Sequence, residues 1–401
     1  MSAKEKLAIE GGEPVRKEFL PFHRPSFGPE EEKEIIDVLR SGWITKSKRT
    51  VEFEKRFAEY AGAKYAVGLN SCTAALHLSL VALGVGPGDE VITTPITFPA
   101  TVNVIEHCGA RPVFADVLPD DLNINPEEIR KKITPNTKAI MPVHFIGAPC
   151  AMDEIFSLAD PRGIAVVEDA AHAVETVYQG KKIGGLKSLA TCFSFYATKN
   201  ITTGEGGMLT TNDPKIEEKV RILSLHGISR DAWKRYGPEG YRHWDILMPG
   251  YKYNMFDLQA GLGLCQLEKV GVFWKRRKQI VDRYHQAFSD EPALKLLTCA
   301  PEHKPAYHLY VLVIRTEMLR ADRDQIMNAV QAEGIGIGIH FRSIPEHPYY
   351  RQKYGYQKGS LPIAEYASER VLSIPLFPAM TDPEVEDVIT VVQKIIDSYR
   401  K

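Results

Sequence analysis

The stretch Ala165-Val-Val-Glu168-Asp169-Ala-Ala-His172 decides the fold. An apolar run of strand length, Ile164–Asp169, ends in two acids. A run without alternation reads as a strand covered on both faces. Ligands of open α/β sheets bind at the carboxyl ends of such strands, where one carboxylate can face a ligand cation. A helix cap or a surface acid is the ordinary alternative for that position.

The pattern repeats upstream. Lys64–Asn70, Glu90–Thr94, Arg111–Val117 and Lys138–His144 read as strands. Thr73–Leu83, Phe98–Cys108 and Met152–Ala159 read as helices. Strands alternating with helices imply right-handed crossovers and a mostly parallel sheet. After Lys199 the alternation stops. Pro214–His226 reads as a helix, 236–253 as a long loop rich in Gly, Pro and aromatics, and Asp257–Asp290 as one or two long helices with a kink possible near Gly271. Tyr307–Ile314 and Ile335–His340 then read as strands around a helix at Arg323–Ala332. The last helix is expected to start with Asp382 as N-cap and Pro383 at its first position. The expectation is an α/β fold: a large unit over residues 1–270, N-terminal arm included, and a smaller α+β unit over 271–401.

The chain has 401 residues, with 50 Lys and Arg against 51 Asp and Glu, for a net charge of −1. That balance leaves no basic surface for nucleic acid and no polybasic segment for an anionic membrane. No window reaches the ~18 apolar residues of a membrane span. Cys72, Cys108, Cys150, Cys192, Cys265 and Cys299 are scattered with no CxxC pair, so neither a zinc site nor a disulfide framework is expected. Free thiols and the lack of an apolar signal-peptide core after Met1 point to the cytoplasm.

Three segments carry candidate chemistry. Asn70-Ser71-Cys72-Thr73 joins a strand to a helix, where free N–H groups and hydroxyls can hold an anion; capping by Asn70 or Ser71 is the alternative. Asp169 is the strand-end acid. Lys199 follows the apolar run Cys192–Tyr196 and precedes Gly204-Glu-Gly-Gly207. Partial desolvation there would favour the neutral amine that Schiff-base chemistry needs, whereas a snorkelling surface lysine would stay charged. Together, a phosphate cradle, a carboxylate and a lysine are the parts that pyridoxal 5′-phosphate requires. Phe98, after a strand end, can cover the ring by stacking.

Six blocks in order make the sequence resemble the DegT/DnrJ/EryC1/StrS family of fold-type-I, pyridoxal-phosphate-dependent nucleotide-sugar aminotransferases: Ser41–Thr45, Asn70–Ala75, Val167–His172, Phe193–Gly207, Pro249–Asn254 and Ile374–Pro378. Within it, Gly250–Asn254, Asn200-Ile-Thr and Ile339–Arg342 resemble the branch that forms UDP-4-amino-4-deoxy-L-arabinose. The resemblance implies that Lys199 is the Schiff-base lysine and proton shuttle. It implies that Asp169 binds the pyridine nitrogen, His172 lies near the phenolic oxygen and Phe98 stacks on the ring. Ser71, Cys72, Thr73 and Ser194 would hold the phosphate, and Asn254 would reach the phosphate of a neighbouring subunit, so that a homodimer shares its active sites. Thr45, Tyr196, His340 and Arg342 would face the sugar nucleotide. The implied reaction moves an amino group from L-glutamate, leaving 2-oxoglutarate, to a 4-keto pentose or 4-keto-6-deoxyhexose on a nucleotide diphosphate, for cell-envelope polysaccharide or lipopolysaccharide. A cyclitol or antibiotic-precursor aminotransferase shares these motifs. A dehydratase of the same scaffold would carry His in place of Lys199, and a non-catalytic regulator would have no use for the Asp169–Lys199 pair.

Overall fold

The computed structural model describes residues 6–229 and 244–401. Two amphipathic helices come first, α1 (Pro29–Ser41) and α2 (Lys48–Ala61). The expected alternation follows: β1 (Tyr65–Leu69), α3 (Cys72–Leu83), β2 (Glu90–Thr93), α4 (Pro99–His107), β3 (Arg111–Phe114), α5 (Pro126–Lys132), β4 (Thr137–Met141), α6 (Met152–Ala159) and β5 (Ala165–Asp169). A small hairpin, β6 (Val177–Tyr178) and β7 (Lys181–Lys182), precedes β8 (Ala190–Ser194), β9 (Gly207–Thr211) and α7 (Pro214–Ser224).

Seven strands form one sheet in the order β1-β9-β8-β5-β4-β2-β3. Strand β9 is antiparallel to both neighbours; the other pairings are parallel. A parallel strand needs a crossover helix, and no helix separates β8 from β9, so the chain can only return antiparallel. The glycines at its start hide β9 from a reading by composition. Core residues cover the sheet on both faces, with Phe193, Ile140 and Val166 in one cluster and Val167, Cys192 and Leu209 in another. That burial explains the unbroken apolar runs.

Helix α8 (Asp257–Phe288) is a single element of 32 residues that passes through Gly271 without interruption. Its first half packs on α1 and α2, and its last turns enter a second core. The second core surrounds a three-stranded antiparallel sheet, β10 (Leu294–Leu296), β11 (Tyr310–Ile314) and β12 (Val371–Ile374). Around it lie α9 (Arg323–Ala332), α10 (Pro348–Tyr354), α11 (Pro362–Ser368) and α12 (Asp382–Tyr399). Leu7 and Leu20 of the N-terminal arm are buried in this second core beside Ile280, Tyr284, Val388 and Ile395.

Two local expectations need correction. Residues 335–340 do not form a strand. They make isolated bridges only, Ile335 to Leu20 and Gly338 to Ser373, because the segment crosses from the arm to β12 and runs along neither. The cap of α12 is Thr381, not Asp382. Thr381 Oγ1 accepts from the Glu384 N–H at 3.3 Å, and the Glu384 carboxylate accepts from the Thr381 N–H at 2.8 Å. This reciprocal capping box moves Pro383 to the second helical position. The loop expected at 236–253 lies partly outside the described residues.

Candidate active site

The carboxyl ends of β5, β8, β2 and β1 bring the candidates together. Alternation along β5 sends its two acids to opposite faces. Glu168 turns into the core, where it accepts from His144 Nε2 at 2.8 Å and Thr191 Oγ1 at 2.7 Å. His144 Nδ1 accepts from the Cys150 N–H, which leaves the proton on Nε2. Glu168 is therefore fully occupied. Asp169 accepts from Thr101 Oγ1 at 2.8 Å and from the Ala171 N–H at 3.1 Å. Thr97 Oγ1, 2.7 Å from Thr101 Oγ1, donates in turn, since the Thr101 proton is spent on Asp169. Burial raises the Asp169 carboxyl above its ordinary value, and Thr101, Ala171 and Lys199 oppose that rise. A buried acid stabilised by two donors and a nearby cation is suited to pairing with a ligand cation.

Lys199 sits on the return between β8 and β9. Its N–H bonds Tyr196 O at 2.8 Å, and Phe195 bonds Gly206 and Thr203 through its backbone at 2.9 Å each. Thr202 Oγ1 adds a 3.0 Å bond to Phe195 O. The turn is thus held at both ends. Burial pushes the amine of Lys199 down to about 8, against the pull of Cys72 and Asp169. A sizeable neutral fraction near pH 8 fits a nucleophilic lysine rather than a solvated one.

The anion cradle lies at the first turn of α3. Ser71 is its N-cap: Oγ accepts from the Ala74 N–H at 3.1 Å. The Cys72 and Thr73 N–H groups precede any intrahelical acceptor and stay available to a ligand. The Cys72 side chain points away, its thiol on Cys192 O at 3.4 Å. Gly207 of β9 closes the other wall; a Cβ there would stand 2.3 Å from Ser71 C and 2.5 Å from Cys72 N. Ser194, opposite Gly207 in the β8–β9 ladder, accepts the Tyr196 N–H at 3.3 Å.

Phe98 is the N-cap residue of α4, yet 61% of it is exposed, unusual for a Phe in so apolar a neighbourhood. It meets Phe341 edge-on with ring centroids 6.2 Å apart. His172 is buried against His308 at 4.3 Å and Phe341 at 6.0 Å, with its Nδ1 lacking any partner. An exposed aromatic face and an orphaned buried ring nitrogen both fit a planar, polar ring bound beside Lys199.

The remaining candidates are less gathered. His340 Nδ1 lies 2.9 Å from Ser373 Oγ. Burial and the Lys199 charge push the imidazole down to about 4. Tyr196 and Thr45 are exposed. Arg342 is also exposed and bonds Glu346 O at 3.3 Å. Asn254 bridges to Leu69 at the tip of β1 and accepts from Lys252 Nζ at 2.6 Å. It opens into a cavity of about 620 Å³ shared with Lys46, Lys48, Val51 and Arg221, whose lining includes neither Lys199 nor Asp169.

Several residues of the site escaped the sequence reading. Thr101 and Thr97 carry no motif of their own. His23 and His308 come from the arm and from the segment just before β11. Burial pushes His23 down to about 3, with the Arg277 charge and then that of Lys199 adding to the effect. His308 is held well below its ordinary value by burial, then His172 and Lys199. The lysine is thus surrounded by imidazoles that stay neutral at pH 7.

Comparison with known proteins agrees with this geometry. Residues 25–393 match the model of the DegT/DnrJ/EryC1/StrS aminotransferase family. An uncharacterized protein of Methanocaldococcus jannaschii is 50% identical over 96% of this chain and 100% of its own length. The spore coat polysaccharide biosynthesis protein SpsC of Bacillus subtilis is 48% identical over 95% of this chain and 98% of its own. Among solved structures, Spr1654 of Streptococcus pneumoniae, assigned as a sugar aminotransferase, superposes in its PMP form with a TM-score of 0.88 at 34% identity. The match covers 94% of this chain and 99% of that one. The PLP form of the same protein superposes at 0.86.

Proposed function

Because the chain belongs to the DegT/DnrJ/EryC1/StrS aminotransferase family, which is pyridoxal-phosphate-dependent and of fold type I, we propose that it transfers an amino group from L-glutamate to a 4-keto sugar carried on a nucleotide diphosphate. The observation that carries the reading is Lys199, its amine pushed down to about 8, set between Asp169 and the helix α3 cradle. Pyridoxal phosphate, when bound, supplies an electron sink for the carbanion formed at the donor Cα.

The residues present fit that group. Asp169 would hold its ring nitrogen and Phe98 would cover its face. The N–H groups of Cys72 and Thr73, with the hydroxyls of Ser71, Thr73 and Ser194, would hold its phosphate. His172 offers its unpaired Nδ1 side to the ring substituents. The Lys199 amine takes the proton from the donor carbon as general base and returns it as general acid, the role that suits a group titrating near the working pH. Thr45, Tyr196, His340 and Arg342 are proposed to orient the sugar nucleotide.

SpsC acts in spore coat polysaccharide biosynthesis, which supports a cell-envelope polysaccharide as the destination. The active unit is read as a homodimer. Phe27, Ile36, Leu39, Trp43, Ile44 and Val51, all within residues 27–51, expose large apolar side chains, and Val51 lines the Asn254 cavity. A second copy would cover them and bring Asn254 to its partner's cradle. All six cysteines are free thiols, in keeping with a reducing cytoplasm. Among the described residues no helix is long and apolar enough to cross a membrane.

The test is an absorbance spectrum of the protein loaded with pyridoxal phosphate, before and after L-glutamate. The visible band should bleach, and a nucleotide-linked 4-keto sugar should restore it. A band indifferent to every amino donor would overturn the assignment.

A further inference from the structure

Directly after Lys199 comes Asn200, buried to 5% exposure, and its amide is saturated. Nδ2 donates to Glu175 Oε2 and to Ala306 O, both at 2.8 Å. Ala306 O can only accept, so the amide nitrogen must face it, and Oδ1 must face His308 Nδ1 at 2.9 Å. This fixes the tautomer: His308 carries its proton on Nδ1. The other face of the network reaches His172, whose ring lies 4.3 Å from that of His308. Glu175 belongs to the turn that follows His172, and Ala306 is tied to Gly147 by a 2.9 Å backbone bond. One amide therefore joins the turn that carries the reactive lysine to two other segments, the one at Glu175 and the one at Ala306–His308.

We infer that Asn200 is a positioning residue, its amide locking the Lys199 turn against the His172 segment and, through His308, setting the orientation of the His172 ring. The inference rests on the proposed role of Lys199 but reaches it from hydrogen bonding that the reaction itself does not use. Buried polar networks of this kind specify one arrangement when every member is paired.

The test has two arms. In the protein without cofactor, an amine-directed label is followed at the Lys199 peptide by mass spectrometry across pH. The midpoint should lie near 8 in the parent chain. It should move toward the ordinary lysine value in Asn200→Ala, as the loosened turn lets the amine reach water. In the loaded enzyme, Asn200→Ala should lower kcat by about 10- to 100-fold, the cost of a misplaced reacting group, with little change in KM for the sugar. Should Asn200→Ala fail to fold, His308→Leu and His308→Gln replace it. Gln keeps a donor for Asn200 Oδ1 and should hold the labelling midpoint near the parent's, whereas Leu should shift both readouts. An unmoved labelling midpoint together with an unmoved kcat in a folded Asn200→Ala or His308→Leu chain would overturn the inference. The labelling arm needs no transamination, so it stands even if the proposed reaction fails.

Discussion

Thr101 and Asp169 meet at 2.8 Å across the carboxyl ends of β2 and β5, one strand apart in the sheet. The pair ties the first turn of α4, and hence Phe98, to the acid that would face the cofactor ring. The Phe98 segment and the Asp169 carboxylate are therefore coupled through a hydrogen bond.

Thr101→Val should weaken cofactor binding by about 10-fold or more, because a hydrogen bond to a charged group is worth ~1.5–3 kcal/mol and Asp169 loses one of its two donors. Thr101→Ser, which keeps the hydroxyl, should restore most of it. Titration of each apo protein with pyridoxal phosphate, followed by absorbance, measures the difference.

Lys199 is held at about 8, so its neutral fraction grows as pH rises through that value. The rate at which the apo protein takes up pyridoxal phosphate should rise with pH and level off above about 8, not near the ordinary value of 10.5. A stopped-flow pH series that keeps climbing to 10 would contradict this.

Glu175 is pushed up to about 7 by burial, from an ordinary 4.5. Between those values the folded chain keeps a proton that the unfolded chain has released. Stability should therefore fall as pH rises from 4.5 to 7, the raised-acid case of proton linkage. Glu175→Gln removes the titration and keeps an acceptor for Asn200. Thermal melting of the two chains across this window should show the variant gaining relative to the parent as pH rises, then a constant difference above 7.

Gly207→Ala places a methyl against the backbone of Ser71 and Cys72. Backbone cannot turn aside as a side chain can, so the variant should lose about 1–3 kcal/mol, the usual cost of overpacking. Phosphate affinity should fall with it, because the displaced atoms are those of the cradle. Chemical denaturation gives the first number and pyridoxal phosphate titration the second.

Much of the architecture can be read from local pattern. Unbroken apolar runs ending at Asn70, Thr94, His144 and Asp169 announce buried parallel strands, and their carboxyl ends point to the ligand side. Lys199, Asp169 and the Ser71–Thr73 turn stand out because each breaks the pattern of the element beside it. Other features depend on contacts across long sequence distances. The antiparallel β9 is hidden behind glycines whose purpose appears only when Gly207 meets Ser71. The two acids of β5 are equivalent in sequence; the sheet face decides that Glu168 is spent on His144 and Thr191 while Asp169 faces the ligand side. The imidazoles of His23 and His308 come near Lys199 from the arm and from the segment before β11, more than 100 residues away in either direction. Which residue carries reactivity was thus decided by the sequence through residue type and local burial. How that residue is oriented, charged and kept from water was decided by tertiary packing, because desolvation and hydrogen-bond partners exist only once distant segments are brought within a few ångströms.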